Sequence, residues 1–305
     1  MRHLLSIEDL DRRGIERILD RAKSFTEVSE REVKKVPALR GRRVLNLFYE
    51  ASTRTRSSFE LAAKTLSAEV INFVSSGSSV EKGESLRDTI QTLSAYDPDV
   101  IVVRHPHAGA PDVVARHTAA HVVNAGDGKH QHPTQALLDL FTLRAALGRL
   151  DGLHVAIVGD VLHSRVARSL VQALALVGAR ATLVGPPTLV PEGLGAPVSH
   201  ELAAIADADV VYVLRMQRER MAVGASFVPS LREYAARWGV TPERLRPGQL
   251  VMHPGPMNRG VEIDPRVADS EASLVVDQVR SGLTVRMAVL HEFAGTRAAE
   301  PLEVA

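Results

Sequence analysis

The stretch "FYEASTRTRSSFELAAKTL", Phe48 to Leu66, decides how the chain is read. An apolar run, "RVLNLFYE", precedes it, and a helical pattern over Thr53–Leu66 follows. Between them stands Ser52-Thr53-Arg54-Thr55, with Arg56 one residue on. A helix start is the positive end of the macrodipole, so cations there cost stability. Free backbone N–H groups, hydroxyls and an arginine fork at one helix start are a phosphate cradle. The competing reading is a helix cap with surface arginines, and Ser57 and Glu60 do have capping-box spacing.

Strand then helix is the unit that repeats outward from this point. "EVINFVS", "DVIVVRHP" and "HVVNAGDG" read as strands, with a helix at Leu86–Ala95 and another in "HPTQALLDLFTLRAALG". The pattern restarts at Asp151 with "LHVAIVGD", "HSRVARSLVQALALVG", "ARATLVGPP", "ELAAIADADVVYVLRMQ" and "QLVMHPGP". Strands alternating with helices imply parallel sheets covered on both faces. The expected fold is α/β, with two doubly wound parallel-sheet domains and the site in the cleft between them. The expected boundary lies near Gly148–Gly152, giving domains 1–148 and 149–282, with a C-terminal helix at about 283–305 returning to the first. Before the first strand, residues 6–26 read as an amphipathic helix that Ser6 and Asp9 could cap. A charged, loop-rich segment is expected from about residue 218 to Pro247.

Composition narrows the classes. The 305 residues are 45% hydrophobic and 24% charged, a globular balance. A net charge of +1 without basic blocks gives no nucleic-acid or membrane signature. No apolar run approaches the ~20 residues of a membrane span, and the N-terminus has no signal-peptide pattern. A soluble cytoplasmic protein is expected. The absence of cysteine excludes thiolate catalysis and zinc–thiolate sites.

Ligands of open parallel sheets sit beyond the carboxyl ends of the strands. The residues there are Ser52–Thr55, Arg104-His105, His132–Gln135, His163–Arg165, Arg215–Gln217 and His253–Pro256. Polar and cationic side chains from both halves thus collect at one kind of place, as an anion site requires. His132 precedes Pro133 at a helix start, which favours a neutral imidazole able to donate to a carbonyl oxygen; a structural cap is the alternative. Gly159-Asp160 invites a dinucleotide fingerprint, but the further glycines are missing. His163, His253 and Glu262 lack the paired spacing of metal ligands, so neither a metal nor a cofactor is expected.

Together these motifs resemble the catalytic chains of the aspartate carbamoyltransferase family over essentially the whole sequence. The matching segments are "FYEASTRTRSSFE", "SSVEKGESLRDT", "VRHP", "HPTQALLDLFT", "VGDVLHSRVARS", "RMQRER" and "MHPGPMNRGVEI", in the family's order. "STRTR" with "HPTQ" is specific to transcarbamylases. "RMQRER" and "HPGP" point to aspartate, and a chain without cysteine cannot carry the "HCLP" element of the ornithine enzymes.

The resemblance implies transfer of a carbamoyl group from carbamoyl phosphate to L-aspartate, in pyrimidine synthesis, without a cofactor. It implies that Ser52, Thr53, Arg54 and Thr55 hold the phosphate and that Arg104 bridges phosphate and carbonyl oxygen. His132 and Thr55 would polarise the carbonyl. Gln135 and the loop Pro254-Gly255-Pro256 would orient the carbamoyl NH2. Arg165, Arg215, Gln217 and Lys82 would hold the aspartate. Ser78 and Lys82 match a loop that enters the neighbouring subunit's site, which implies a homotrimer with shared sites. Glu50 would latch domain closure through Arg165 and Arg220. Some family members assemble further with regulatory chains or with dihydroorotase and others work alone; the sequence leaves these open. An ornithine or other amine acceptor, and a silent homologue serving as a scaffold, are the competing functions.

Overall fold

The computed structural model describes residues 2–74, 83–217 and 227–295. The chain divides into two compact units, residues 1–134 with 282–305, and residues 135–281.

The first unit opens with a 3-10 turn at Ile7–Asp9, followed by α1 (Arg12–Glu30). The capping box of Ser6 and Asp9 is real, but it closes that turn. The helix proper starts later because Asp11 accepts a 2.7 Å bond from the Gly14 N–H and so caps a new first turn. Then come β1 (Arg43–Phe48), α2 (Thr53–Thr65), β2 (Glu69–Val74), α3 (Leu86–Ser94), β3 (Val100–His105), α4 (Ala110–Arg116) and β4 (His121–Asp127). The sheet order is β2-β1-β3-β4, all parallel. β1 and β3 are almost wholly buried, which is why they read as continuous apolar runs.

In the second unit, α5 (Pro133–Leu147) leads to β5 (His154–Val158), α6 (Arg165–Leu176), β6 (Arg180–Val184), β7 (Val198–Ser199), β8 (Val210–Val213), α7 (Leu231–Trp238), β9 (Leu250–Met252), α8 (Pro265–Ala268) and α9 (Val275–Ala294). Its sheet order is β7-β6-β5-β8-β9, again all parallel. By its contacts α5 groups with this unit from Gln135 onward. Asp139 accepts from Tyr212 and Gln278, and Thr142 Oγ1 donates to Ser281 Oγ at 2.8 Å.

α9 begins at Val275, earlier than the expected 283. Its later turns belong to the first unit. There Arg286 donates to Ser58 Oγ at 2.7 Å and lies 5.2 Å from the Phe59 ring centroid. A cation over an aromatic face adds ~0.5–2 kcal/mol, so α9 helps fix the first turns of α2.

Both sheets reverse strand order at one place. In the first unit the chain steps from β1 outward to β2 and then back to β3 on the other side. In the second it steps from β5 to β6 and back to β8. The crevice at such a switch point is where open α/β sheets bind ligands.

Candidate active site

The first switch point lies between β1 and β3, where Phe48 is in register with Arg104. β1 leads into Ser52, the N-cap of α2, whose hydroxyl accepts from the Thr55 N–H at 3.3 Å. No acidic residue stands in the first turn. Thr53, Arg54 and Arg56 are exposed, whereas Thr55 is buried. This is the unbalanced helix start that the sequence suggests: Glu60, a turn further on, offsets Arg56 in part, but no acidic residue stands in the first turn beside Arg54. Arg104, buried at the end of β3, brings its guanidinium within 3.5 Å of Thr55 Oγ1 and donates to the Ala125 carbonyl at 3.2 Å. Its Nη2 donates to Glu50 Oε1 at 2.8 Å. Sequence reasoning missed that ion pair, because its partners are 54 positions apart. The structure therefore gathers Glu50, Thr55 and Arg104 in one polar cluster above β1 and β3.

His132 ends the turn that follows β4 and is buried. The turn is organised by Asp127, a fully buried carboxylate. Its Oδ1 accepts from Asn124 Nδ2 at 2.9 Å and the Gln131 N–H at 3.0 Å. Its Oδ2 accepts from the Gly109 N–H at 2.8 Å and His130 Nδ1 at 3.0 Å. Gly128 must be glycine: its φ is +50°, and a Cβ would meet Ala108 N and Pro106 O at 2.9 Å. The loops after β3 and β4 are thereby pressed together, and His132 is delivered at the start of α5.

The second switch point lies between β5 and β8. Gly159 follows β5 at φ +121°, and a Cβ there would meet the Leu214 carbonyl and the Tyr234 hydroxyl at 2.9 Å. This glycine permits a close backbone approach, which accounts for "VGD" without any nucleotide. Asp160, also fully buried, braces both exits. Oδ1 accepts from the His163 N–H at 3.2 Å and its Nδ1 at 2.8 Å; Oδ2 accepts from the Gln217 N–H at 3.0 Å. His163 stacks edge-on against Phe227, with ring centroids 4.8 Å apart. Arg165 is buried at the first position of α6, behind the N-cap Ser164. Arg215 is half-buried and Gln217 nearly buried after β8. Asp160 thus ties His163, two residues before Arg165, to the Gln217 backbone, two residues after Arg215, a function its sequence position did not reveal.

β9 runs into His253 and the loop Pro254-Gly255-Pro256, whose Gly255–Pro256 peptide is cis. His253 Nδ1 accepts from the Gly255 N–H at 2.8 Å, so its Nε2 carries the proton facing Glu262 Oε1 at 3.2 Å. Gln135, nearly buried, donates Nε2 to Asp139 at 3.1 Å. Ser78, Lys82 and Arg220 lie outside the described residues. Among the described residues, no group of three or more His, Asp or Glu is placed to hold a metal ion, and no helix is long and apolar enough to cross a membrane.

With this geometry in view, comparison with known families is specific. Residues 2–145 match the carbamoyl-P binding domain of aspartate/ornithine carbamoyltransferase, and residues 151–293 match its Asp/Orn binding domain. The chain belongs to the aspartate/ornithine carbamoyltransferase family. It is 58% identical to the aspartate carbamoyltransferase catalytic subunit of Sorangium cellulosum, covering 98% of this chain and 97% of that one. The Salinispora arenicola catalytic subunit is likewise 58% identical, with 97% and 98% covered. Among solved structures, the M. jannaschii aspartate transcarbamoylase catalytic subunit superposes with a TM-score of 0.85 at 36% identity, over 98% of this chain and 100% of that one. The Trypanosoma cruzi aspartate transcarbamoylase bound to carbamoyl phosphate and aspartate gives 0.85 at 32% identity, over 95% and 96%. The expected family and the two-domain parallel α/β class are those of these carbamoyltransferases.

Proposed function

We infer that the chain transfers the carbamoyl group of carbamoyl phosphate to the amine of L-aspartate, giving N-carbamoyl-L-aspartate and phosphate. One observation carries this reading: the acid-free first turn of α2, with Arg54 exposed beside Ser52 and Thr53, stands at a switch point next to Thr55 and Arg104. A phosphate supplies the negative charge which that helix start lacks.

The donor is already activated by its leaving group, so no enzyme nucleophile is needed. The aspartate amine attacks the carbonyl carbon, the C–O bond to phosphate breaks, and the amine loses a proton. Ser52, Thr53, Arg54 and Thr55 hold the phosphate. Arg104, His132 and Thr55 donate to the oxygen on which charge develops, and this preorganised donation lowers the barrier. Gln135 and the Pro254-Gly255-Pro256 loop orient the carbamoyl NH2. Arg165, Arg215 and Gln217 hold the two carboxylates, for which an arginine fork is the suited group. Residues 1–148 take the carbamoyl phosphate and residues 149–282 the aspartate. Glu50, released from Arg104 by the incoming phosphate, is available to Arg165 and Arg220 as the closure latch. The unit that works is a homotrimer in which Ser78 and Lys82 enter the neighbour's site, and the setting is cytoplasmic pyrimidine synthesis.

The test is product formation from carbamoyl phosphate with aspartate and, separately, with ornithine. Product with aspartate alone is expected; product with ornithine alone would overturn the assignment, and product with neither would favour the scaffold. Shared sites are tested by mixing Arg54→Ala and Lys82→Ala proteins. Subunit exchange should restore part of the activity, and no recovery after verified exchange would show that each chain works alone.

A further inference from the structure

Asp139 is fully buried on α5, and three side-chain donors converge on it. Gln135 Nε2 at 3.1 Å and Gln278 Nε2 at 2.7 Å approach Oδ1, and the Tyr212 hydroxyl approaches Oδ2 at 2.7 Å. Burial first, and then the charge of Asp139, push the Tyr212 pKa well above its ordinary value, so the phenol stays a donor. A carboxylate with donors on both oxygens accepts only. An amide beside it has one permitted orientation: nitrogen towards Asp139, oxygen away. This applies to Gln135, whose Oε1 is therefore turned outward as an acceptor. It applies equally to Gln278, whose Oε1 accepts the His253 N–H at 2.9 Å and so fixes the chain just before Pro254 and Gly255.

We propose that Asp139 is the positioning residue that makes the donor site select an acyl phosphate ending in NH2. By fixing the polarity of Gln135, and through Gln278 the loop at Pro254 and Gly255, it presents acceptors only where the acyl group ends. An NH2 satisfies them. An isosteric methyl group leaves them buried and unpaired, which is costly. The proposal rests on the reading of Gln135 and the loop given under Proposed function.

Two unreactive probes differ only at that group: phosphonoacetamide carries NH2 and acetonylphosphonate carries CH3. Their dissociation constants are measured by calorimetry on the full-length protein. The unmutated protein should prefer the amide. Asp139→Leu frees Gln135 to turn, and the preference should fall about tenfold, the size of one hydrogen bond, while inorganic phosphate binds within about twofold of before. Asp139→Asn should retain most of the preference, because its Oδ1 can accept both amides while the Tyr212 hydroxyl turns to accept from Nδ2. In a Gln135→Ala background, Asp139→Leu should add less loss than it causes alone, the remainder passing through Gln278, because Asp139 and Gln135 act partly in series. If Asp139→Leu does not fold, Asp139→Ser, which is too short to reach Gln135, is measured in its place. An unchanged preference in the folded variant, or a loss that simply adds to that of Gln135→Ala, overturns the proposal. An unmutated protein that binds neither probe, and makes no carbamoyl aspartate, overturns the functional reading instead.

Discussion

Replacing Asp127 by asparagine probes how His132 is held. The carboxylate accepts two donors on each oxygen, and three of the four have no alternative pose. The Gly109 and Gln131 N–H groups are backbone. Asn124 cannot turn over, because its Oδ1 already accepts the Gly126 N–H at 2.8 Å and its Nδ2 also serves the Leu5 carbonyl at 2.8 Å. His130 is the exception: with its side chain half exposed, it can change tautomer and accept through Nδ1. An asparagine will therefore turn its amide nitrogen towards Gly109 and His130 and keep its oxygen on Asn124 and Gln131. The Gly109 N–H loses its partner, and a hydrogen bond to a charged group contributes ~1.5–3 kcal/mol. The remaining two bonds lose their charge assistance. The expected destabilisation is about 2–3 kcal/mol, seen as a lower urea midpoint at unchanged slope. Amides of α4, whose N-cap is Gly109, should lose protection roughly 30- to 150-fold in hydrogen exchange. Because the Gln131 bond survives, kcat should fall no more than about threefold, whereas Asp127→Ala, which removes that bond too, should cost tenfold or more. Stability within about 0.5 kcal/mol of the unmutated protein would refute the reasoning. So would an asparagine variant that is stable yet as inactive as the alanine variant.

His132→Ala should lower kcat by roughly 10²–10³, the range for one oxyanion-type donor; an unchanged kcat removes His132 from the chemistry. Arg54→Ala should raise the KM for carbamoyl phosphate and weaken phosphate binding at least tenfold, while Arg56→Ala leaves both within about twofold; equal effects would show that the field of the helix start, not a directed contact, binds phosphate. Acidification should destabilise the first unit. Burial lowers the pKa values of His3, His105 and His291 below the ordinary 6.5. Between those lowered values and 6.5 the unfolded chain binds more protons than the folded one, so stability falls as pH drops through 6.5. Urea midpoints at pH 7.5 and 5.5 should show this, and His105→Asn, which can still accept the His107 N–H, should reduce the difference. A midpoint that rises on acidification would reverse the sign.

The alternation of strands and helices was legible because buried parallel strands read as unbroken apolar runs, "VLNLF", "VIVV" and "HVAIV" among them. α4 and α7, of seven and eight residues, are too short to show a helical period, and β7 has only two residues. The start of α1 was misplaced because Ser6 and Asp9 carry a genuine capping box that serves a shorter turn. The acid-free start of α2 was legible through a local contradiction, arginines at the positive end of a helix. The carboxylates behind the site made no such signal. Asp139 meets Tyr212 across 73 positions and Gln278 across 139, and Asp127 meets Gly109 across 18. A lone aspartate reveals such a function only when folding brings its donors to it.

Three buried aspartates, Asp127, Asp139 and Asp160, answer one physical problem. Groups that contact a ligand stand on loops beyond the strand ends, where apolar packing cannot hold them and backbone N–H groups lack sheet partners. An acceptor-only carboxylate gathers several such donors at once and dictates which way each neighbouring amide points. Asp127 does this behind His132, Asp160 behind His163 and Gln217, and Asp139 behind Gln135. A buried negative charge near the proposed phosphate and dicarboxylate site would oppose binding, yet here each charge is spread over three or four donors, which blunts its field. The arginines in front therefore keep their positive potential, and the loops that carry the polar groups are set before substrate arrives, which electrostatic catalysis requires.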